Sequence, residues 1–166
     1  MIGQGYKQIV YFSGPANINI YRDRLAGFLK AIEDHGMKPA NGQILDNVIT
    51  REKGKKETDR MISKGYPFDA IFAASDFSAL GAMLSLKDHQ VKVPGDIGVA
   101  GFSNEPFTEL LELTTVEQRS TEIGQTAARL LFEEIDSEQE GTNKEIIIKS
   151  KIIIRNSTLK TGKHEI

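Results

Sequence analysis

Asp69-Ala70-Ile71-Phe72-Ala73-Ala74-Ser75-Asp76 is the stretch on which the fold turns. Its apolar run is too short for a helix and suits a strand buried on both faces. Ser75-Asp76 then opens a helix over 76–89, where a short side-chain oxygen can accept from the free N–H groups of the first turn. Working outward, the same rhythm repeats on either side. Gln8-Ile9-Val10-Tyr11-Phe12 is a first strand closed by Ser13-Gly14-Pro15. Leu25, Phe28, Leu29 and Ile32 recur at i, i+3, i+4 and i+7, an amphipathic stripe that Gly36 is placed to end. A second strand is expected near 43–49, then a charged helix over 52–64 stopped by Gly65. Downstream, Ile97-Gly98-Val99-Ala100-Gly101-Phe102 is the fourth strand. Apolar strands alternating with helices imply an α/β fold, a doubly wound parallel sheet over 1–112 with right-handed crossovers on both faces.

After Leu113 the rhythm changes. Thr114-Thr115-Val116-Glu117-Gln118 is extended in character, and Ser120 or Thr121 is expected to cap another helix. Ile123, Ala127, Leu130, Leu131 and Ile135 fall on one face of it. A polar turn over 137–143 precedes two strand-like triplets, Ile146-Ile147-Ile148 and Ile152-Ile153-Ile154, and 162–166 reads as a loose tail. This last third needs a sheet to pack on, and the pattern shows only part of one.

Composition narrows the function. Of 166 residues, 27% are charged, yet the net charge is −2, without the basic excess of a dedicated nucleic-acid module. There is no cysteine, which excludes disulfides and thiolate metal sites. No run approaches a membrane span, and the first residues lack the pattern of a signal peptide. His35, His89 and His164 lie far apart without ligand spacing, so no metal site is expected. Gly3-x-Gly5 precedes the first strand and lacks a third glycine, no phosphate-binding loop occurs, and Ser13 and Ser103 have no nucleophile-elbow context. Lys53, Lys55 and Lys56, set among acids, read as a solvated face. No cofactor and no enzyme activity are expected.

In open parallel sheets ligands collect beyond the carboxyl ends of the strands. The residues there are Ser13-Gly14-Pro15, Ile49-Thr50, Ser75-Asp76 and Ser103-Asn104, with Arg24 of the first helix near the same edge. Hydroxyls, a carboxylate, an amide and a guanidinium suit a small polar ligand. Each also has a plainer reading: helix capping for Ser75 or Asp76, a surface ion pair for Arg24, turn chemistry for Ser103-Asn104.

Six ordered motifs resemble the lactose- and purine-repressor (LacI-type) family. They are Ile9-Val10-Tyr11-Phe12-Ser13-Gly14-Pro15, Arg24-Leu25-Ala26-Gly27-Phe28, the stretch from Asp69 through Asp76 continued by Ala79-Leu80-Gly81-Ala82-Met83, Val93-Pro94-Gly95-Asp96-Ile97-Gly98-Val99-Ala100-Gly101-Phe102, Leu113-Thr114-Thr115-Val116-Glu117-Gln118, and Ile153-Ile154-Arg155-Asn156-Ser157-Thr158. The resemblance implies a periplasmic-binding-protein-like type I fold, present as the C-terminal lobe and an incomplete part of the N-terminal lobe. Residues 1–113 would form the C-terminal lobe, 114–118 a crossover, 119–150 a return into the N-terminal lobe, 151–159 a final strand back, and 160–166 a tail.

By the same resemblance the chain is the effector-sensing part of a cytoplasmic bacterial repressor, without its helix-turn-helix headpiece, through which alone operator DNA would be bound. A homodimer is implied, formed near 76–86 and 105–111. Arg24 matches the arginine that hydrogen-bonds the effector, Asp76 the acid at the cleft rim, and Gln118 a polar residue of the return crossing. Ser103, followed by Asn104, replaces an aspartate that grips ligand hydroxyls, and Ile49 replaces a stacking aromatic, a role Phe77 is placed to take. A sugar is the expected effector. The alternative is a periplasmic-type solute-binding protein for sugar transport or chemosensing.

Overall fold

The computed structural model describes residues 1–38, 42–136 and 144–160; the expected polar turn at 137–143, His164 and the tail at 162–166 lie outside the described residues. At its centre β1 (Ile9–Phe12), β2 (Ile44–Leu45), β3 (Ala70–Ala73) and β4 (Gly98–Ala100) form a parallel sheet in the order β2-β1-β3-β4. Helices α1 (Asn19–Asp34), α2 (Arg51–Ser63) and α3 (Asp76–Asp88) link successive strands. This is the doubly wound α/β arrangement that the alternation implies.

The strand period of two sorts side chains between the faces. Val10, Phe12, Ile71, Ala73 and Val99 pack with Met61 of α2 and Ala79, Ala82 and Leu86 of α3. Ile9, Tyr11 and Ala70 pack with Phe28 and Ile32 of α1 on the other face. Tyr11 stacks on Phe28 with ring centroids 4.8 Å apart. Each large buried side chain is worth roughly 1.5–3 kcal/mol, so these two layers hold the lobe together. The α2–α3 seam depends on two glycines: a Cβ at Gly54 would strike the Ser78 carbonyl, and one at Gly81 the Arg51 carbonyl.

Local chemistry sets the helix ends. The Lys53 amide donates to Thr50 Oγ1 at 3.2 Å at the start of α2, and the Phe77 amide to Ser75 Oγ at 3.2 Å at the start of α3. Gly36 and Gly65, just past α1 and α2, take left-handed φ of 66° and 62°.

Some expectations need correction. β2 is two residues long instead of filling 43–49, because only Ile44 and Leu45 pair with β1 and the chain turns at Asn47, φ 56°. Leu29 is 36% exposed, so the buried stripe of α1 runs through Leu25, Phe28 and Ile32. A short α4 (Phe107–Leu110) follows β4. β5 (Thr115–Glu117) extends the sheet edge through parallel bridges Ala100–Thr114 and Ser103–Glu117, and pairs antiparallel with β6 (Lys151–Ile153). Ser120 and Thr121 do not cap α5 (Ser120–Ile135): Ser120 is already helical, and the preceding residue is Arg119, left-handed at φ 59° with no side-chain cap bond. Ile146, Ile147 and Ile148 form no strand, having no ladder partner among the described residues. No residue of α5 is buried; Leu131, Phe132 and Ile135 are 59–67% exposed.

Candidate functional site

Because the four strands run parallel, the loops leaving their carboxyl ends share one edge. Ser13 is used structurally there: its amide donates to the Leu45 carbonyl and its carbonyl accepts from the Val48 amide, both at 2.8 Å. Thr50 and Ser75 cap helices.

Arg24 reaches the edge from the second turn of α1. Nη1 donates to the Ala74 carbonyl at 2.8 Å, and Nη2 to Gln118 Oε1 at 3.0 Å. Its guanidinium carbon sits 3.8 Å from the Phe102 ring centroid, and Nε is buried without a hydrogen-bond partner among the described residues. Burial pulls the Arg24 pKa below its ordinary value, opposed by Tyr21, Tyr11 and Asp76. Gln118 Nε2 in turn donates to Ser103 Oγ at 3.1 Å. Arg24, Gln118 and Ser103 thus form one hydrogen-bonded row from α1 through the residue after β5 to the loop after β4.

Asp76 is fully buried, and its carboxylate is already engaged. Oδ1 accepts from Thr115 Oγ1 at 2.7 Å and Oδ2 from the Glu105 amide at 2.9 Å. Desolvation raises its pKa, and those bonds pull the other way. Gly101 leaves room for it, since a Cβ there would meet Oδ1. Asp76 therefore fastens α3 to β5 and to the loop after β4.

That loop carries two left-handed residues, Ser103 at φ 131° and Asn104 at φ 58°. Backbone strain of this kind concentrates at functional sites. The Ser103 amide donates to the Val116 carbonyl at 3.0 Å, which locks the loop to β5. Asn104 Nδ2 donates to Glu117 Oε2 at 2.7 Å. Ser103, Asn104, Glu105, Glu117 and Arg119 line a polar hollow of about 640 Å³ that continues onto the first turns of α5. A second hollow, about 540 Å³ and apolar, runs past Arg24 between α1 and β5, against Phe28, Phe102 and Val116.

The remaining two candidates lie apart from this row. Ile49 is half-buried just before the Thr50 cap and lines neither hollow. Phe77, on the first turn of α3, is 47% exposed with its ring 5.3 Å from that of Phe107, and it also lines neither. No sequence signal marks Glu117 beyond its place next to Gln118 in the extended segment 114–118. Among the described residues no group of three or more histidines or acids could hold a metal ion. What the arrangement offers is a mixed set of donors and acceptors.

The family model of the periplasmic binding protein-like domain matches residues 1–158. The chain is 32% identical over 157 residues to the HTH-type transcriptional repressor CytR of Escherichia coli (strain K12), covering 93% of this chain and 46% of that protein. It thus spans about half the length of the curated relatives it matches. A LacI regulator structure from Bacillus cereus subsp. cytotoxis superposes with a TM-score of 0.86 at 30% identity, over 94% of this chain and 56% of that one. The regulator CelR, solved as a cellobiose complex, superposes with a TM-score of 0.84 at 26% identity, over 94% of this chain and 48% of that one.

Proposed function

Because the chain belongs to the periplasmic-binding-protein-like family of LacI-type regulators, we propose that it senses a small-molecule effector for a transcriptional repressor and performs no catalysis itself. Effector bound at the strand-end edge would shift the crossover segments, and with them the operator affinity of a headpiece. The observation that carries this reading is the row of Arg24, Gln118 and Ser103, which joins the lobe to the crossover by hydrogen bonds of 3.0 and 3.1 Å. A ligand competing for those bonds acts on the very residues that connect the two parts.

The effector in this reading is a neutral sugar. Hydroxyls and amides donate and accept, as sugar hydroxyls require, and Arg119 shares the polar hollow with Glu105, Glu117 and Glu122 and pairs with the last, which disfavours a strongly anionic ligand. The related CelR structure holds cellobiose. Ser103, Asn104 and Gln118 would contact the sugar with Arg24. Asp76 would shape the site from below, and Ile49 and Phe77, which line neither hollow, would stay outside it. No helix of the described residues is long and apolar enough to cross a membrane; as the sensing part of a repressor the chain would work in the cytoplasm, beside the DNA. Association as a homodimer would use the exposed Phe77, Leu84 and Leu110, the last 87% exposed.

Calorimetric titration of the full-length protein with neutral sugars, sugar phosphates and nucleobases tests the reading. A neutral sugar is expected to bind, and tight binding of a nucleobase would overturn it.

A further inference from the structure

The segment Arg155-Asn156-Ser157-Thr158 has so far no part in the function, yet it is among the most thoroughly bonded stretches of the chain. The Thr114 amide donates to Ser157 Oγ at 2.8 Å, and Ser157 Oγ donates to the Val99 carbonyl at 2.6 Å. The Arg155 amide donates to Thr114 Oγ1 at 2.9 Å. Ser157 and Thr158 are each 3% exposed. This clasp holds the Arg155 guanidinium against the loop after β4. There Nη1 donates to the Leu113 carbonyl at 2.8 Å and Nη2 to Asn104 Oδ1 at 3.0 Å. No ion pair engages Arg155 among the described residues; it is spent on neutral acceptors.

An asparagine amide has an acceptor end and a donor end, whereas a guanidinium only donates. Arg155 therefore selects which end of Asn104 faces it. Thr108 Oγ1 lies 3.2 Å from the same Oδ1, but its one proton has a closer acceptor, the Glu105 carbonyl at 2.7 Å. Arg155 is thus the committed donor to Asn104, and the amide nitrogen is left toward Glu117 and the polar hollow.

We infer that Arg155 is a positioning residue: it holds Asn104 as a donor beside the Glu117 acceptor, so that the hollow presents a donor–acceptor pair suited to two adjacent hydroxyls of one ligand. The ligand half of this inference rests on the sugar-sensing reading above; the orientation half does not.

Nuclear magnetic resonance of the intact chain tests the orientation without any effector. The Asn104 side-chain NH₂ should carry one proton that shifts as Glu117 titrates. That titration should fall below the ordinary glutamate range, because the Asn104 hydrogen bond, then the Arg119 amide and charge, favour the carboxylate; Glu105 and Glu122, which line the same hollow, are the opposing charges. Arg155→Met should abolish the coupling and move the Glu117 titration upward, and Arg155→Lys should restore part of both. A folded Arg155→Met protein with both signals unchanged would overturn the assignment. Should that variant not fold, Glu117→Gln decides from the other side: the Asn104 NH₂ shift should lose its dependence on pH across the carboxylate range, and a dependence that persists contradicts the inference. For the ligand half, a sugar that binds should lose roughly tenfold or more in affinity when one of two adjacent hydroxyls is removed, about one charged hydrogen bond. Equal affinity for every deoxy analogue would refute that half alone.

Discussion

The lobe built on β1–β4 and the helix α5 are made from similar residues and meet opposite fates. In the lobe the strands place Val10, Phe12, Ile71 and Val99 at 0% exposure between helices. In α5 an equally clear apolar stripe leaves Ile123, Leu131 and Ile135 46–67% exposed. Periodicity makes a helix amphipathic in both places; only the lobe supplies what the stripe packs against. The contrast teaches that one half of this chain is stabilised by its own core, and that α5 is held mainly by its backbone and surface pairs such as Arg129–Glu133 at 2.7 Å.

Truncating one phenylalanine in each region separates the two. Phe12→Ala should cost the lobe about 3–5 kcal/mol, since it empties a site in a packed layer. Phe132→Ala, at a position 64% exposed, should change stability by less than about 0.5 kcal/mol. Denaturant unfolding followed by circular dichroism measures both, and a comparable loss at Phe132 would mean that α5 is packed.

Glycines give a second contrast of smaller size. Gly81→Ala should destabilise by about 1–3 kcal/mol through the clash with the Arg51 carbonyl, outweighing the roughly 1 kcal/mol that alanine gains in a helix. At Gly124 in α5 a Cβ meets nothing within 4 Å, so Gly124→Ala should stabilise that helix by about 0.5–1 kcal/mol. Thermal unfolding of the two variants should move in opposite directions.

The difference between the regions also explains what was legible in the sequence. The sheet, its order of elements and helices α1–α3 were readable, because short apolar runs and 3.6-residue stripes report burial directly. β2 was overread because apolar character at 48–49 serves the turn into α2 and not a ladder. The start of α5 was misread since Arg119, in place of a hydroxyl, occupies the cap. At the strand-end edge, position in the fold points to Arg24, Ser103 and Asn104, and the resemblance alone adds Gln118. The partners that orient Asn104, which are Thr115, Glu117 and Arg155, are joined to it across 11 to 51 residues of sequence by hydrogen bonds that no local pattern encodes.

The smallest expected effect concerns acid. Asp59 of α2 accepts from Ser85 Oγ of α3 at 2.6 Å, and that bond, with Lys55 and His89, holds its pKa below the ordinary value. A carboxyl whose folded pKa is depressed contributes stability above its unfolded pKa and loses it as pH falls toward the folded one. Asp59→Asn should therefore flatten the acid-side decline of lobe stability slightly, read from unfolding midpoints across the carboxylate range; an unchanged slope would remove Asp59 from the seam.

If Arg24 and its partners at the lobe's edge hold the effector as proposed, paired calorimetry will register their loss. Wild-type full-length protein and Arg24→Ala, each shown to unfold cooperatively, are titrated with the same neutral sugars. A hydrogen bond to a charged side chain is worth about 1.5–3 kcal/mol, so a bound sugar should weaken by roughly tenfold or more in the variant. Equal affinity in the two proteins would contradict the account.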